Sequence, residues 1–255
     1  PSTDLTFVAA DLIVPRLAPT ATLLGDGSVL LVGGSGRSVG GGPTLASTER
    51  YRPGPAPLPR APESREYLAN FLLWPVMPTV PNMRAGFDRE TKGYRVRIPD
   101  GAASTGNIIL APEGATFENF TLEIDVDVRS GTTGYYGVAF RTQDATRRQL
   151  HFGANYLFYI TPAGAFGLAQ VDGQGASRLI QPSVFSGAIV PGASKNRLRV
   201  TAQGETLTFA INGKPVGRYT ATIRAAGQVG IYYASDGGAG ATDVIFSDLR
   251  VVPTP

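Results

Sequence analysis

The sequence predicts an all-β chain of antiparallel strands, and three observations predict it. Glycine and proline are abundant, 32 and 20 of 255 residues, and they punctuate short apolar runs instead of massing in tracts. The stretch FENFTLEIDVDVRSG alternates cleanly: Phe120, Leu122, Ile124, Val126 and Val128 share one face, while Thr121, Glu123, Asp125, Asp127 and Arg129 share the other. No amphipathic helical period of any length interrupts the runs from residue 84 onward, so two stacked antiparallel sheets are expected there.

Residues 1–54 read as a first unit. LTFVAADLIVPR is apolar and stops at Pro15, and TATLL and SVLLVGG are strand runs joined by Gly25-Asp26-Gly27, with Asp-Gly a strong hairpin signal. SGRSVGGGPT is a loop, and LASTERYRPG is a polar strand ended by Pro53-Gly54. Arg16, Thr20, Thr22, Leu23, Leu24, Asp26, Gly27, Val29, Leu30, Val32, Gly33 and Gly34, then Ala46, Ser47, Glu49, Tyr51 and Pro53, together resemble one kelch repeat. The pattern departs at Pro19, where such repeats often carry His, at Arg52, where they often carry Asp, and in lacking a Trp before the last strand. The resemblance implies a single β-blade. One blade cannot bury both its faces, so Leu5, Phe7, Leu12 and Val14 become candidate assembly residues, completing a sheet within this chain or in a neighbouring copy.

Residues 55–83 read as a connector. Its proline-rich start is extended, because each residue before a proline is held out of the helical region. REYLANFLLWPVMPTVP follows, with an apolar run able to form one short helix ending before Pro75 and a reason to dock on a sheet rather than face water.

Residues 84–255 carry the remaining strands: YYGVAFRT, YLFYIT, AFGLAQV, NRLRVTAQGETLTFAINGKPVGRYT, GQVGIYYAS and ATDVIFSDLRVV, with tight turns at Gln203-Gly204 and Asn212-Gly213. YYGVAFR ending at Arg141, NRLRV from Asn196, LTFAINGKPV, GQVGIYY and the closing VIFSDLRV resemble, in that order, a concanavalin-like jelly roll. They are similar to laminin-G-like sandwiches and to the bacterial group named after 3-keto-disaccharide hydrolases. The resemblance implies an antiparallel β-sandwich, a fold that serves lectins, adhesion modules and hydrolases alike.

Composition removes several chemistries. Cysteine is absent, which excludes disulfides, thiolate metal sites and a cysteine nucleophile. The net charge is +3, but Arg16, Arg37, Arg84, Arg141, Arg178 and Arg224 are dispersed, so no nucleic-acid footprint is expected. No apolar run approaches the roughly 20 residues of a membrane span. The chain begins at Pro1 without a signal-peptide pattern, as a processed protein or a piece of a longer one does. His151 is the only histidine, and no GxSxG elbow accompanies it, so neither a Ser-His-Asp triad nor a histidine metal cluster is expected. GGSGRSVGGG lacks the Lys-Ser/Thr ending and the following helix of a phosphate loop.

Three constellations are left. Glycosidases on the concanavalin-like fold can carry a Glu-x-Asp-x-Glu strand, which Glu123, Asp125 and Asp127 approach with a shorter third acid. Two of these carboxyls could stand about 5–5.5 Å apart, the separation retaining hydrolysis uses. The alternative is a solvated polar stripe. The loops holding Asp236, Asp243 and Asp144 have calcium-type ligands without calcium-type spacing, and plain turns are the simpler reading. Finally, Tyr135, Tyr136, Tyr156, Phe158, Tyr159, Tyr232 and Tyr233 lie in strands, and two-sided placement cannot put them all in one core. Sugar rings stack on aromatic faces while their hydroxyls meet planar groups, making Arg141, Gln149, Tyr156 and Tyr159 the candidate ligand residues, with Asn155 beside them.

The expectation is an extracellular or cell-surface protein recognising surface glycans without catalysis and without a cofactor, with an assembly surface on its first unit. A self-assembling filament or surface-layer subunit, partnered by its own copies, is the second reading. A hydrolase acting through Glu123 and Asp125 is the third.

Overall fold

The computed structural model describes residues 16–17, 20–25, 28–33, 35–36, 46–51, 63–75, 84–100, 105–112, 114–143, 153–172, 176–223, 226–235 and 240–254. The chain divides into two compact units, 1–59 and 60–255. Leu5, Phe7, Leu12 and Val14 lie outside the described residues.

In the first unit, β1 (Arg16–Leu17) pairs with β4 (Ser35–Gly36). β2 (Thr20–Leu23), β3 (Val29–Val32) and β5 (Thr48–Tyr51) form an antiparallel meander in which Leu23 faces Val29 and Val29 faces Tyr51. The hairpin and the polar third strand are those the sequence predicts. Ser28 is buried and its hydroxyl accepts from Arg50 Nε at 2.8 Å, while Leu23 is 73% exposed, so among the described residues the small sheet leaves apolar surface uncovered.

The second unit is an antiparallel β-sandwich, as the jelly-roll resemblance implies. Chain order runs β6 (Tyr67–Leu68), β7 (Arg84–Phe87), β8 (Tyr94–Ile98), β9 (Thr105–Leu110), β10 (Thr116–Phe117), β11 (Phe120–Ser130), β12 (Tyr135–Thr142) and β13 (Asn155–Ile160). It continues with β14 (Ala165–Val171), β15 (Ser177–Phe185), β16 (Lys195–Gln203), β17 (Thr206–Ile211), β18 (Lys214–Thr220), β19 (Gly227–Ser235) and β20 (Thr242–Pro253). One sheet is ordered β18-β17-β16-β11-β20-β8-β7, with β6 also on β20; the other is β10-β19-β12-β13-β14-β15, with β9 also on β19. We call them the charged sheet and the tyrosine sheet.

Alternation builds the core. Phe120, Leu122, Ile124, Val126 and Val128 of β11 meet Tyr136, Val138 and Phe140 of β12, Tyr156 and Phe158 of β13, and Ile231 and Tyr233 of β19 in one continuous cluster. Two hairpins close on the turn chemistry their residues demand. Asn212 (φ 50°) and Gly213 (φ 78°) are both left-handed, the pattern of a type I′ turn, and Asn212 Oδ1 accepts from the Arg197 amide at 2.8 Å. The β16–β17 turn is Gly204-Glu205, one residue beyond the expected Gln203-Gly204, because Gln203 still pairs with Thr206 and glycine supplies the left-handed corner (φ 53°).

Residues 63–75 belong to the sandwich unit. Leu68 and Tyr67 pair with Arg250 and Val251 of β20. The expected short helix is a single 3-10 turn, Phe71–Leu73, capped by the Asn70 side chain, which accepts from the Leu72 amide at 3.2 Å. Phe71 and Trp74 are buried 5.0 Å apart between ring centroids, and both pack against Tyr94, whose hydroxyl donates to the Pro75 carbonyl at 2.6 Å. An apolar segment without a helix face of its own is thus stabilised by insertion into the core.

Candidate functional site: an aromatic sheet face

The tyrosines of the second unit divide between two faces. Tyr136, Tyr156 and Tyr233 are core residues, fully buried. Tyr135, Tyr159 and Tyr232 stand on the opposite face of the tyrosine sheet, in a second apolar cluster with Ile108, Ala139, Leu157 and Ala169. Strand register explains the grouping: Tyr232 and Tyr159 flank Gly137, and Tyr159 in turn lies beside Gly167. Glycine at these two positions admits the rings. A β-carbon on Gly167 would collide with the Tyr159 ring, and one on Gly137 would strike the Phe158 carbonyl oxygen. Tyr159 meets Tyr135 edge-to-face at 5.2 Å and Tyr232 at 6.1 Å, giving a row of three aromatic rings across neighbouring strands. Tyr159 is nearly buried and its hydroxyl lies 3.5 Å from Ser183 Oγ; Tyr135 and Tyr232 are half-buried margins of the cluster.

A polar end adjoins this row. Asn155 shares Tyr159's face two steps along β13 from Leu157, is fully buried, and donates from Nδ2 to the Gly153 carbonyl at 2.9 Å. Its Oδ1 and the hydroxyl of Thr142 are buried and have no hydrogen-bond partner among the described residues.

Two of the four expected ligand residues are placed elsewhere. Alternation along β12 would turn Arg141 onto the tyrosine face with Tyr135, Gly137 and Ala139. Instead β12 carries one extra residue against β19 between Ala139 and Thr142, and Arg141 takes φ 49°. The bulge drives its side chain inside, fully buried, where the guanidinium donates to the carbonyls of Ile223 (2.9 Å), Glu118 (2.9 Å) and Gly204 (2.8 Å). Burial pulls its pKa down from the usual arginine range. Arg141 therefore ties three loop backbones together and offers no donor to a sugar. Tyr156 is corrected likewise: it stacks on Phe140 at 5.4 Å, and its hydroxyl accepts the amides of Thr222 (2.8 Å) and Ile223 (3.0 Å). Gln149 lies outside the described residues. Of the three that are described, Tyr159 alone is on the aromatic face. Tyr135 and Tyr232 stand outside the four expected ligand residues, although their doublets with Tyr136 and Tyr233 signal one ring on each side of a strand.

The carboxylate stripe lies on the other sheet and is neutralised. Glu123, Asp125 and Asp127 face Arg199, Arg197 and Lys195 across the β11–β16 register. Arg199 Nε donates to Glu123 Oε1 at 2.6 Å, Arg197 bridges Glu123 Oε2 and Asp125 Oδ1 at 3.1 Å each, and Lys195 Nζ meets Asp125 Oδ2 at 2.6 Å. Asp127 pairs with Arg129 at 2.7 Å. Burial works against the charge on Glu123, and the Arg199 and Arg197 guanidiniums more than offset it, holding its carboxyl below the ordinary carboxylate range. A general acid needs the reverse shift. Asp243 is also engaged, with both oxygens accepting from Arg95, at 2.8 and 2.6 Å. Among the described residues no three His, Cys, Asp or Glu side chains converge as metal ligands. Asp236 is outside them. Among the described residues no helix is long and apolar enough to cross a membrane.

No protein-family model matches the chain, and no curated protein sequence matches it. Solved structures do. A carbohydrate-binding module, CBM66, from Bacillus subtilis shares 17% identity at a TM-score of 0.52, over 71% of this chain and 96% of the module. An endo-acting O-glycanase of the human gut microbiota shares 10% at 0.52, over 74% and 99%. A Bacteroides ovatus mixed-linkage-glucan GH16 in complex with its G4G4G3G product shares 7% at 0.50, over 72% and 98%. The second unit thus has the concanavalin-like sandwich common to carbohydrate-binding modules and glycosidases.

Proposed function

We propose that the sandwich is a non-catalytic carbohydrate-binding module whose ligand lies across Tyr135, Tyr159 and Tyr232. The row of three rings carries the reading. It sits on the face of the tyrosine sheet turned away from the main core, where Tyr135 and Tyr232 keep partly exposed rings beside the buried Tyr159, and aromatic rings are what the apolar faces of pyranose or furanose units stack on. The similar structures, a carbohydrate-binding module and two glycan-cleaving enzymes, support the same class of ligand. Of these two activities, binding is favoured by the interleaved cations, which engage the carboxylates of both Glu123 and Asp125 and hold the Glu123 carboxyl below the ordinary range, away from a general acid. The reading goes with an extracellular or cell-surface location, where polymeric glycans are met.

The test is a polysaccharide and glycan array probed with the intact chain, followed by turnover assays on whatever binds. Saturable binding with no released sugar is the expected result. Absence of binding to every glycan class overturns the module reading. Turnover abolished by Glu123→Gln establishes the hydrolase instead.

A further inference from the structure

The two sheets divide the charge of the second unit unevenly. The outer face of the charged sheet interleaves acids and bases, among them Glu123, Asp125, Arg197 and Arg95. On the outer face of the tyrosine sheet, alternation and register turn out small, aliphatic, aromatic, hydroxyl and amide side chains. No Asp, Glu, Lys or Arg stands there among the described residues. A ligand bearing carboxylates or sulfates would lose hydration on this face and meet no counter-charge.

The aromatic row also has an outlying member. Phe185, at the end of the edge strand β15, is 76% exposed, the most exposed large apolar side chain among the described residues. Two observations put it on the tyrosine face. Its register partner is Ala165, which alternates with the core residue Phe166. Two residues before it, Ser183 Oγ lies 3.5 Å from the Tyr159 hydroxyl. Edge strands are kept from wrong pairing by charge, proline or bulges, and β15 has Pro182 and two register shifts for that, so an exposed phenyl adds nothing to its protection. Beside Tyr159, β14 turns Ala165, Gly167 and Ala169 outward, so that strand raises no long side chain between Tyr159 and Phe185.

Tyr232, Tyr135, Tyr159 and Phe185 stand on β19, β12, β13 and β15, and the strand order is β19-β12-β13-β14-β15. Four strand spacings of about 4.8 Å span roughly 19 Å, the length of about four linked pyranose units.

We propose that this face takes a neutral linear glycan, about four units of it laid across the strands, with Tyr232 and Tyr135 at one end and Phe185 at the other. The proposal rests on glycan binding by the aromatic face and adds the ligand's charge class, length and direction. Because β15 is an edge strand, a longer polymer can run on past Phe185.

The experiment is titration calorimetry of the intact chain with cello-, xylo-, manno- and fructo-oligosaccharides from disaccharide to hexasaccharide, and with oligogalacturonate and chondroitin sulfate as acidic counterparts. Affinity for a neutral series is expected to rise about tenfold or more from disaccharide to tetrasaccharide and then to level off, with no binding of the acidic probes. Phe185→Ser is expected to lower tetrasaccharide affinity about fivefold or more and to leave the disaccharide unchanged. Its melting temperature is expected to hold, because the ring is exposed. Affinity already level at the disaccharide, preference for an acidic probe, or undiminished tetrasaccharide binding in Phe185→Ser overturns the proposal and leaves glycan binding by the face standing. Silence toward all these probes also overturns it, and silence on the glycan array as well overturns glycan binding itself.

Discussion

Arg141 shows how a single backbone angle reassigns a side chain. The sequence places it at the end of YYGVAFR, where strict alternation aims it outward as a planar donor; one extra residue and a left-handed φ aim it inward onto three carbonyls. A bulge of this kind has no residue signature here, because neither glycine nor proline marks it. Truncation, Arg141→Ala, is expected to cost about 3 kcal/mol or more, since it strands three buried acceptors, and thermal unfolding of the variant checks this. Glu123 makes the opposite point, because its pairing is readable once NRLRV is set against LEIDVDV in antiparallel register. Its folded pKa is depressed, so the stability it contributes is present above the ordinary carboxylate range and is lost as pH falls through the lower folded value. Acid unfolding curves are therefore expected to lose slope in that low-pH window in Glu123→Gln, with little change in glycan binding.

At the scale of elements, β12, β13 and β14 position the aromatic face through their glycines. Period-two reading divides each tyrosine doublet between two faces but cannot say which face is core, because β13 is buried along its whole length, apolar on both sides. The two glycines behave differently when filled. Gly137→Ala drives a methyl into backbone, which cannot yield, and is expected to cost at least about 3 kcal/mol. Gly167→Ala meets the end of the Tyr159 side chain, which can rotate away. That variant is expected to stay folded while its glycan affinity drops several-fold, a difference that calorimetry and melting curves separate.

At the scale of the molecule, the sandwich and the first hairpin were legible because both rest on local signals, alternation and Asp-Gly or Asn-Gly turns. The extent of the sandwich was not. The sequence assigns residues 55–83 to a connector by their prolines and gives its apolar run a reason to dock on a sheet; Tyr67, Phe71 and Trp74 do lie within the apolar packing of the second unit, but which core they enter is a tertiary fact that no local period encodes. A chain spanning 60–255 is expected to fold, and one starting at residue 84 to be unfolded or several degrees less stable. Trp74→Ala in the whole protein is expected to lose about 3–5 kcal/mol. Circular dichroism melts of the three proteins check both statements.

Glycan binding by the aromatic face is tested most directly by titration calorimetry of an array-selected glycan against the intact chain and against Tyr135→Ala and Tyr232→Ala. These rings are half-buried, so the fold tolerates their removal with a melting shift of a few degrees. Affinity in each variant is expected to fall about tenfold or more, with the combined variant silent. Undiminished affinity in folded Tyr135→Ala and Tyr232→Ala would contradict the assignment and place the glycan elsewhere on the molecule.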